Sequence, residues 1–397
     1  MGAKKKHYPL IVSTIKENPA NAITDLISNQ NEDIPNKYLY FSYQGAYLWN
    51  KIDLEYKPGK DCSELLKLHF KEIDEHICSN GNTSYDIVSL GTGSGADDVL
   101  ILNIIQKSLN KGKNRAPFRL FAVDFSLILL NDGIRFIVDF LNNKASDRLS
   151  KCIKCVRGIW GDFETLSKTK LEENGVNFSN IEKRPTLYHL LGLTLGNNKE
   201  AILLRSFHEI MVENDYLLLG VDFSADSEES LQKSFQQYID AAALINPWLC
   251  NPLHFVCKHN KVSDSNYAHK TDFEIVKIEH KNNDYKRISQ VNNARSFTRY
   301  HDYGSGALRL CDYSTKYNSK DFVEFIINLK EEQVFFNIEH IFEHKKQGAE
   351  ELDSHQVLVL LKKKKAGEEK EKTIEDSGKK EPSGQQNSKN HGLGTKA

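Results

Sequence analysis

The sequence has almost no net charge: 53 Lys and Arg face 54 Asp and Glu, which leaves a formal charge of -1 and a pI near 6.9. Such a balance exerts no overall pull toward nucleic acid or anionic lipid, so neither is expected as a partner. Long apolar runs are missing as well. None approaches the roughly 18 residues of a membrane span, and no stretch of signal length follows the basic start Met1-Gly-Ala-Lys-Lys-Lys6. Position 6 is Lys rather than Ser or Thr, so Gly2 is not expected to be myristoylated. Cysteine is sparse, scattered and odd in number, at seven; Cys152-x-x-Cys155 has no second pair at zinc-like spacing, and reduced thiols in a cytosolic setting are expected. Among fourteen histidines, His340 and His344 are four apart, but a strand spacing over this stretch removes the helical ligand geometry, and no metal is expected.

What is present is ordinary in bulk and specific in places. The 397 residues, 39% apolar and 27% charged, suffice for one large or two ordinary soluble domains. The stretch Tyr85-Asp-Ile-Val-Ser-Leu-Gly-Thr-Gly-Ser-Gly95 organises the rest. Ile87 to Leu90 suits a buried strand, Gly91, Gly93 and Gly95 let the backbone turn sharply, and Ala96 to Leu109 has helical apolar spacing. A helix N-terminus behind a glycine turn makes a nucleotide-type pocket at the edge of a parallel sheet, although a plain tight turn would look the same.

After this turn, strand and helix alternate. Strands are expected at Phe118–Asp124, Cys152–Val156, Thr186–Leu191 and Asp215–Asp222, with helices at Leu127–Leu141 and Lys199–Val212 between them. The order predicts a parallel sheet with helices on both faces. Asp124, closing the second strand, stands where a ribose-binding carboxylate belongs in a doubly wound sheet. Ala225 to about Leu244 reads as helix, and Asn246 to Asn318 is too long for a bare loop. It holds two strand-like runs, Phe273–His280 and Ala307–Tyr313. Two further strands, Gln333–Phe342 and Ser354–Leu361, have no room for a helix between them and must form an antiparallel hairpin. From Lys362 onward little can be buried, which predicts a disordered tail.

Near the start, Tyr38, Tyr40, Phe41, Tyr43, Tyr47 and Trp49 crowd into a dozen residues, either a packing pad or the lid of a site. Ser63 to Ile77 then has helical spacing. Asp312 and Ser314 are two apart on a strand-like run, so they share a face and could grip a polar ring; a solvated strand face would show the same alternation.

Four stretches carry a resemblance: Ile34-Pro-Asn-Lys-Tyr-Leu-Tyr40 with Gly45 and Leu48-Trp49, the glycine turn, Gly161-Asp-Phe163, and Leu191-Gly-Leu-Thr-Leu-Gly-Asn197 followed by Leu217-Leu-Leu-Gly-Val-Asp222. Together they resemble the histidine-specific methyltransferases, which methylate the α-amino group of histidine at the start of ergothioneine synthesis. The resemblance implies a class I methyltransferase of the α/β, Rossmann-like type, with a seven-stranded sheet and an α+β capping domain. It divides the chain into a cap segment 1–60, a core 61–224, an inserted cap region 225–318, a core completion 319–363 and a tail 364–397. The implied cofactor is S-adenosylmethionine, held by Tyr56, Gly91, Gly93, Gly95, Asp124, Asp162 and Phe163. Tyr40 and Asn197 would orient the amine, and Tyr238, Asp312 and Ser314 would bind the amino acid. Two positions depart from the family: Ala96-Asp97-Asp98 replaces its lysine, and Asp312 replaces its glutamate. A cytoplasmic monomer acting on a small amino acid is the expectation; another amino acid, a peptide or protein side chain, or a non-catalytic binder are the alternatives.

Overall fold

The computed structural model describes residues 5–28, 34–78, 84–173, 184–197, 199–252, 254–255, 267–278, 293–302, 308–344 and 355–364; in 267–313 it describes backbone alone. The tail expected from Lys362 onward lies mostly outside these residues, but Lys362 and Lys363 end the last strand and Lys364 follows it.

In chain order the elements begin with β1 (Ile11–Ser13), α1 (Pro19–Ser28), α2 (Tyr43–Glu55), α3 (Lys60–Cys78), β2 (Asp86–Leu90), α4 (Ala96–Asn110), β3 (Phe118–Asp124) and α5 (Leu127–Asp139). They continue through α6 (Asp147–Cys152), β4 (Ile153–Trp160), α7 (Lys168–Glu173), β5 (Thr186–Leu190), α8 (Glu200–Ile210), β6 (Tyr216–Asp222), α9 (Glu228–Asp240) and α10 (Ala242–Leu249). The last are β7 (Tyr267–Ile278), β8 (Asn293–Asp302), β9 (Leu308–Lys316), α11 (Ser319–Asn328), β10 (Phe336–Phe342) and β11 (Gln356–Lys363).

Eight strands form the main sheet, in the order β1-β4-β3-β2-β5-β6-β11-β10. Strands β1 to β6 pair in parallel, while β11 runs antiparallel to both β6 and β10. This is the class I methyltransferase sheet with one strand more than expected. The extra strand is β1, in the segment 1–60, which carried no strand expectation. Three residues carry little strand signal, and they become a strand because the edge of β4 accepts them, with Ile11 opposite Gly158.

The late hairpin closes in the order its sequence dictates. Val357 to Leu361 is buried on both faces and takes an interior place, whereas β10 carries Asn337, Glu339 and His340 and stands at the edge. Alternation along the interior strands divides the core. Ile87 and Leu218 point to the α3–α4–α5 side with Leu66, Phe70, Ile101 and Ile134; Val88, Leu217 and Leu219 point to the other side with Leu203, Phe207 and Phe322. The insertion after β6 holds a three-stranded antiparallel sheet, β7-β8-β9, of which β8 carried no strand expectation.

Candidate functional site

The sheet runs from β2 toward β3 and β4 on one side and toward β5 and β6 on the other. A crevice must open at the carboxyl ends where this order reverses. A cleft with roughly 670 Å³ of open space lies there, lined by Asn36, Lys37, Tyr40, Trp49, Gly91, Gly93, Asp124, Phe125, Leu129, Asp162, Phe163, Glu164, Thr194 and Asn197.

Its floor follows from the glycine turn. Gly91 and Gly93 have φ of +67° and +51°, and side chains there would be strained. The peptide of Gly93 faces β3 and its N–H donates to Asp124 Oδ2 at 3.1 Å, while Ser126 N–H donates to Asp124 Oδ1 at 2.8 Å. The carboxyl is buried, and desolvation pushes its pKa up to about 6 against these two hydrogen bonds. Each oxygen retains a lone pair for a hydroxyl in the cleft.

A second wall comes from the end of β4. Glu164 N–H donates to Asp162 Oδ1 at 3.0 Å in a local turn, and Lys37 Nζ donates to Asp162 Oδ2 at 2.5 Å. Asp162 is not the cap of α7, since Ser167 accepts the Lys170 N–H. The carboxyl of Glu164 stands 3.7 Å from Lys37 Nζ. Burial, then the like charge of Asp162, raises its pKa. Phe163 stands beside Gly91, where an added Cβ would sit 3.8 Å from its ring.

The third wall is the 3-10 turn Thr194–Asn197 after β5. It is pinned from two sides: Asn36 Nδ2 donates to Asn197 O at 2.7 Å, and Gly196 packs so closely on β9 that a Cβ would lie 2.7 Å from Thr315 O. Asn197 Oδ1 is buried and accepts no hydrogen bond from the described residues. Such an acceptor is costly unless a ligand fills it. Tyr40 meets Trp49 and Trp248 edge-on, with ring centres 5.2 and 5.1 Å apart.

Tyr40, Asn197, Gly91, Gly93, Asp124, Asp162 and Phe163 are thus brought to one cleft, and four expected residues are placed elsewhere. Gly95 begins α4 against α5, where a Cβ would lie 2.7 Å from Gly133 O; its glycine is required by helix packing. Tyr56 ends α2 near Lys316 and Asp222. Tyr238 packs on the cluster of Leu39, Ile52, Ile245, Trp248 and Leu249, as Tyr40 does, but does not line the cleft. Ser314 is half-buried on β9, two residues before Lys316, whose Nζ donates to Asp222 Oδ2 at 2.9 Å. The backbone of Asp312 pairs with Thr298 in β8, and its side chain lies outside the described residues.

Lys37, Asn36, Trp49, Glu164 and Thr194 had no assigned role in the sequence reading. The aromatic density around Trp49 was visible; Lys37 had no local signal, because Asp162 is 125 residues away. Where the family has a lysine, Asp97 accepts from Ser63 Oγ at 2.7 Å and Asp98 from Thr92 Oγ1 at 2.7 Å, so both acids tie down the turn. Among the described residues no group of three or more His, Cys, Asp or Glu could hold a metal, and no helix is long and apolar enough to cross a membrane.

The family described as "Histidine-specific methyltransferase, SAM-dependent" matches residues 19–346, and the chain belongs to it. It is an S-adenosylmethionine-dependent methyltransferase. No curated protein matches the sequence significantly. Similar solved structures include the CcbJ methyltransferase from Streptomyces caelestis, 10% identical over 73% of this chain and 87% of that one, with a TM-score of 0.32. The glycopeptide N-methyltransferase MtfA in complex with S-adenosyl-L-homocysteine is 12% identical over 72% and 84%, with a TM-score of 0.33. An S-adenosylmethionine-dependent methyltransferase from Clostridium acetobutylicum is 12% identical over 79% and 94%, at 0.32. Likenesses this distant carry no argument, and fold and activity rest on the sheet topology and the family match.

Proposed function

We propose that this methyltransferase acts on the α-amino group of histidine or a closely related small amino acid, within the cleft at the ends of β2 to β5. The buried, unfilled acceptor Asn197 Oδ1 carries the reading. An amide oxygen accepts an N–H without taking the proton, so it can orient an amine without competing with it as base or nucleophile.

The cleft suits the cofactor on its own chemistry. Gly91 and Gly93 leave backbone exposed, Asp124 offers carboxylate lone pairs to ribose hydroxyls, and Asp162 with Phe163 offers an acceptor and a flat apolar ring to a purine. When bound, S-adenosylmethionine supplies a methyl group on a positively charged sulfur. The chain's task is then to present a neutral amine in line with it. Asn197 and Tyr40 hold the amine, and the aromatic wall of Trp49 and Trp248 dries that side of the cleft. An α-amino group has a pKa of about 8, and partial desolvation lowers it further, so it sheds its proton near neutral pH. Asp312 on β9 would take the side chain of the amino acid, whereas Ser314 does not line the cleft. Here β9 is packed against the turn that carries Asn197.

Mass spectrometry of products from histidine, other amino acids and short peptides tests this directly. Methylated histidine is expected, with Asn197→Ala lowering turnover by about tenfold or more at nearly unchanged thermal stability. Equal loss of activity and stability would make Asn197 a structural turn residue, and methylation of another acceptor in place of histidine would overturn the substrate. Exchanging Asp312 for Glu should alter the preference among amino acids if β9 lines the pocket.

A further inference from the structure

A second cavity, with roughly 760 Å³ of open space, adjoins the cleft. Thr14, Pro19, Ala22, Tyr38 and Lys170 line its far side, while Lys37, Phe125 and Asp162 line both spaces. These three residues are the partition. Lys37 is its cationic part: its side chain is 22% exposed, and Nζ lies 2.5 Å from Asp162 Oδ2, 3.7 Å from Glu164 Oε2 and 5.7 Å from the centre of the Phe125 ring. Burial works against the ammonium, yet Asp162 and Glu164 outweigh it and its pKa is raised. The cation therefore stays in place between the two carboxyls.

That arrangement decides what Asp162 can do. With Oδ1 held by the Glu164 N–H and Oδ2 by Lys37, the carboxylate cannot rotate, and its remaining lone pairs have set directions. We infer that Lys37 is a positioning and specificity-determining residue for the cofactor's purine: it locks Asp162 as acceptor for an exocyclic amino group and closes the cleft against substituents on that group. The inference rests on the reading that Asp162 faces the purine. Without Lys37, Asp162 Oδ2 would lose its anchor while Oδ1 stays on the Glu164 N–H, and the two cavities would merge.

Calorimetry on the full chain tests both roles with three probes: S-adenosylhomocysteine, S-inosylhomocysteine with oxygen in place of the amino group, and S-adenosylhomocysteine carrying benzyl on that amino group. The wild type should bind the adenosyl probe at least about tenfold tighter than the inosyl probe, a single charge-assisted hydrogen bond, and should refuse the benzyl probe. Lys37→Ala should lose about tenfold on the adenosyl probe and gain measurable affinity for the benzyl probe. Lys37→Met, similar in length but uncharged, should lose on the adenosyl probe and still refuse the benzyl one. A gain for the bulkier probe cannot arise from a damaged fold. Equal wild-type affinity for the adenosyl and inosyl probes would remove the purine from Asp162 and this inference with it. Discrimination in the wild type without a gain in Lys37→Ala would leave that placement standing and overturn the role of Lys37.

Discussion

Two strands of the main sheet end in the same four residues, Val123-Asp-Phe-Ser126 after β3 and Val221-Asp-Phe-Ser224 after β6. They share one local hydrogen bond, although Ser126 caps α5 and Ser224 opens a 3-10 turn. The serine N–H donates back to the aspartate Oδ1, at 2.8 Å in the first case and 2.9 Å in the second. The other oxygen separates them: Asp124 Oδ2 receives the Gly93 N–H, whereas Asp222 Oδ2 receives Lys316 Nζ from β9. Burial pushes Asp124 up to about 6; at Asp222 burial is outweighed by Lys316 and the Ser224 hydrogen bonds, and its pKa is lowered. Phe125 lines the cleft, and Phe223 packs on Phe322 at 5.7 Å between ring centres. A tetrapeptide sets its own turn, but the neighbour that meets its free oxygen decides between a ligand-facing acid and a structural ion pair.

The largest expected effect breaks this comparison at Asp222. Asp222→Ala removes the carboxylate that pairs with the Lys316 ammonium, on a side chain only 13% exposed, which should cost about 3–5 kcal/mol in denaturant unfolding. Adding Lys316→Met should restore most of that, and a cost below about 1 kcal/mol would show the pair to be hydrated. Asp124→Ala strips the Gly93 and Ser126 N–H groups of their acceptor and should cost less stability than Asp222→Ala, about 1–3 kcal/mol. It should also weaken S-adenosylhomocysteine binding by about tenfold or more, from the loss of one hydroxyl acceptor, and an unchanged affinity would remove the ribose from β3.

Smaller effects should appear with pH, and with opposite signs. A carboxyl raised in the folded state binds its proton more tightly there, so ionised Asp124 lowers stability as pH rises from the ordinary carboxylate range to about 6. Asp222, lowered in the folded state, contributes stability that is present above its ordinary value and lost as pH falls through the folded one. Asp124→Asn should therefore gain on the wild type up to about pH 6, while Asp222→Asn should lose most at neutral pH. Cofactor affinity should fall as pH drops through about 6 in the wild type and stay flat in Asp124→Asn. The smallest changes are at the shared serines. Ser126→Ala removes the cap that receives the Leu129 N–H, and Ser224→Ala removes a hydroxyl that donates to Asp222; each should cost about 1 kcal/mol.

Much of the core and part of the site were legible in the chain because their signals are local. A buried strand reads as a continuous apolar run, a helix as a period of 3.6, and a positive φ as glycine; these placed β2 to β6, Gly91, Gly93 and the end of β3. Tyr238 read as a site residue, yet an aromatic residue on an amphipathic helix such as α9 looks the same whether it faces a ligand or a layer of Leu and Trp. Gly95 read as a ligand-facing turn, and only the approach of Gly133 shows why it is glycine.

By itself the sequence determined what depends on neighbours within about a turn of chain: strand, helix, cap, Asx turn and the order β-α-β with its late hairpin. Tertiary structure alone decided which edge would recruit Ile11–Ser13, which hairpin strand lies inside, and which of two identical Val-Asp-Phe-Ser turns meets a lysine. It alone brought Lys37 to Asp162 and left Asn197 Oδ1 without a partner among the described residues. The reason is physical: charge state and ligand access depend on desolvation and on groups that meet through space, over sequence separations that no local pattern records.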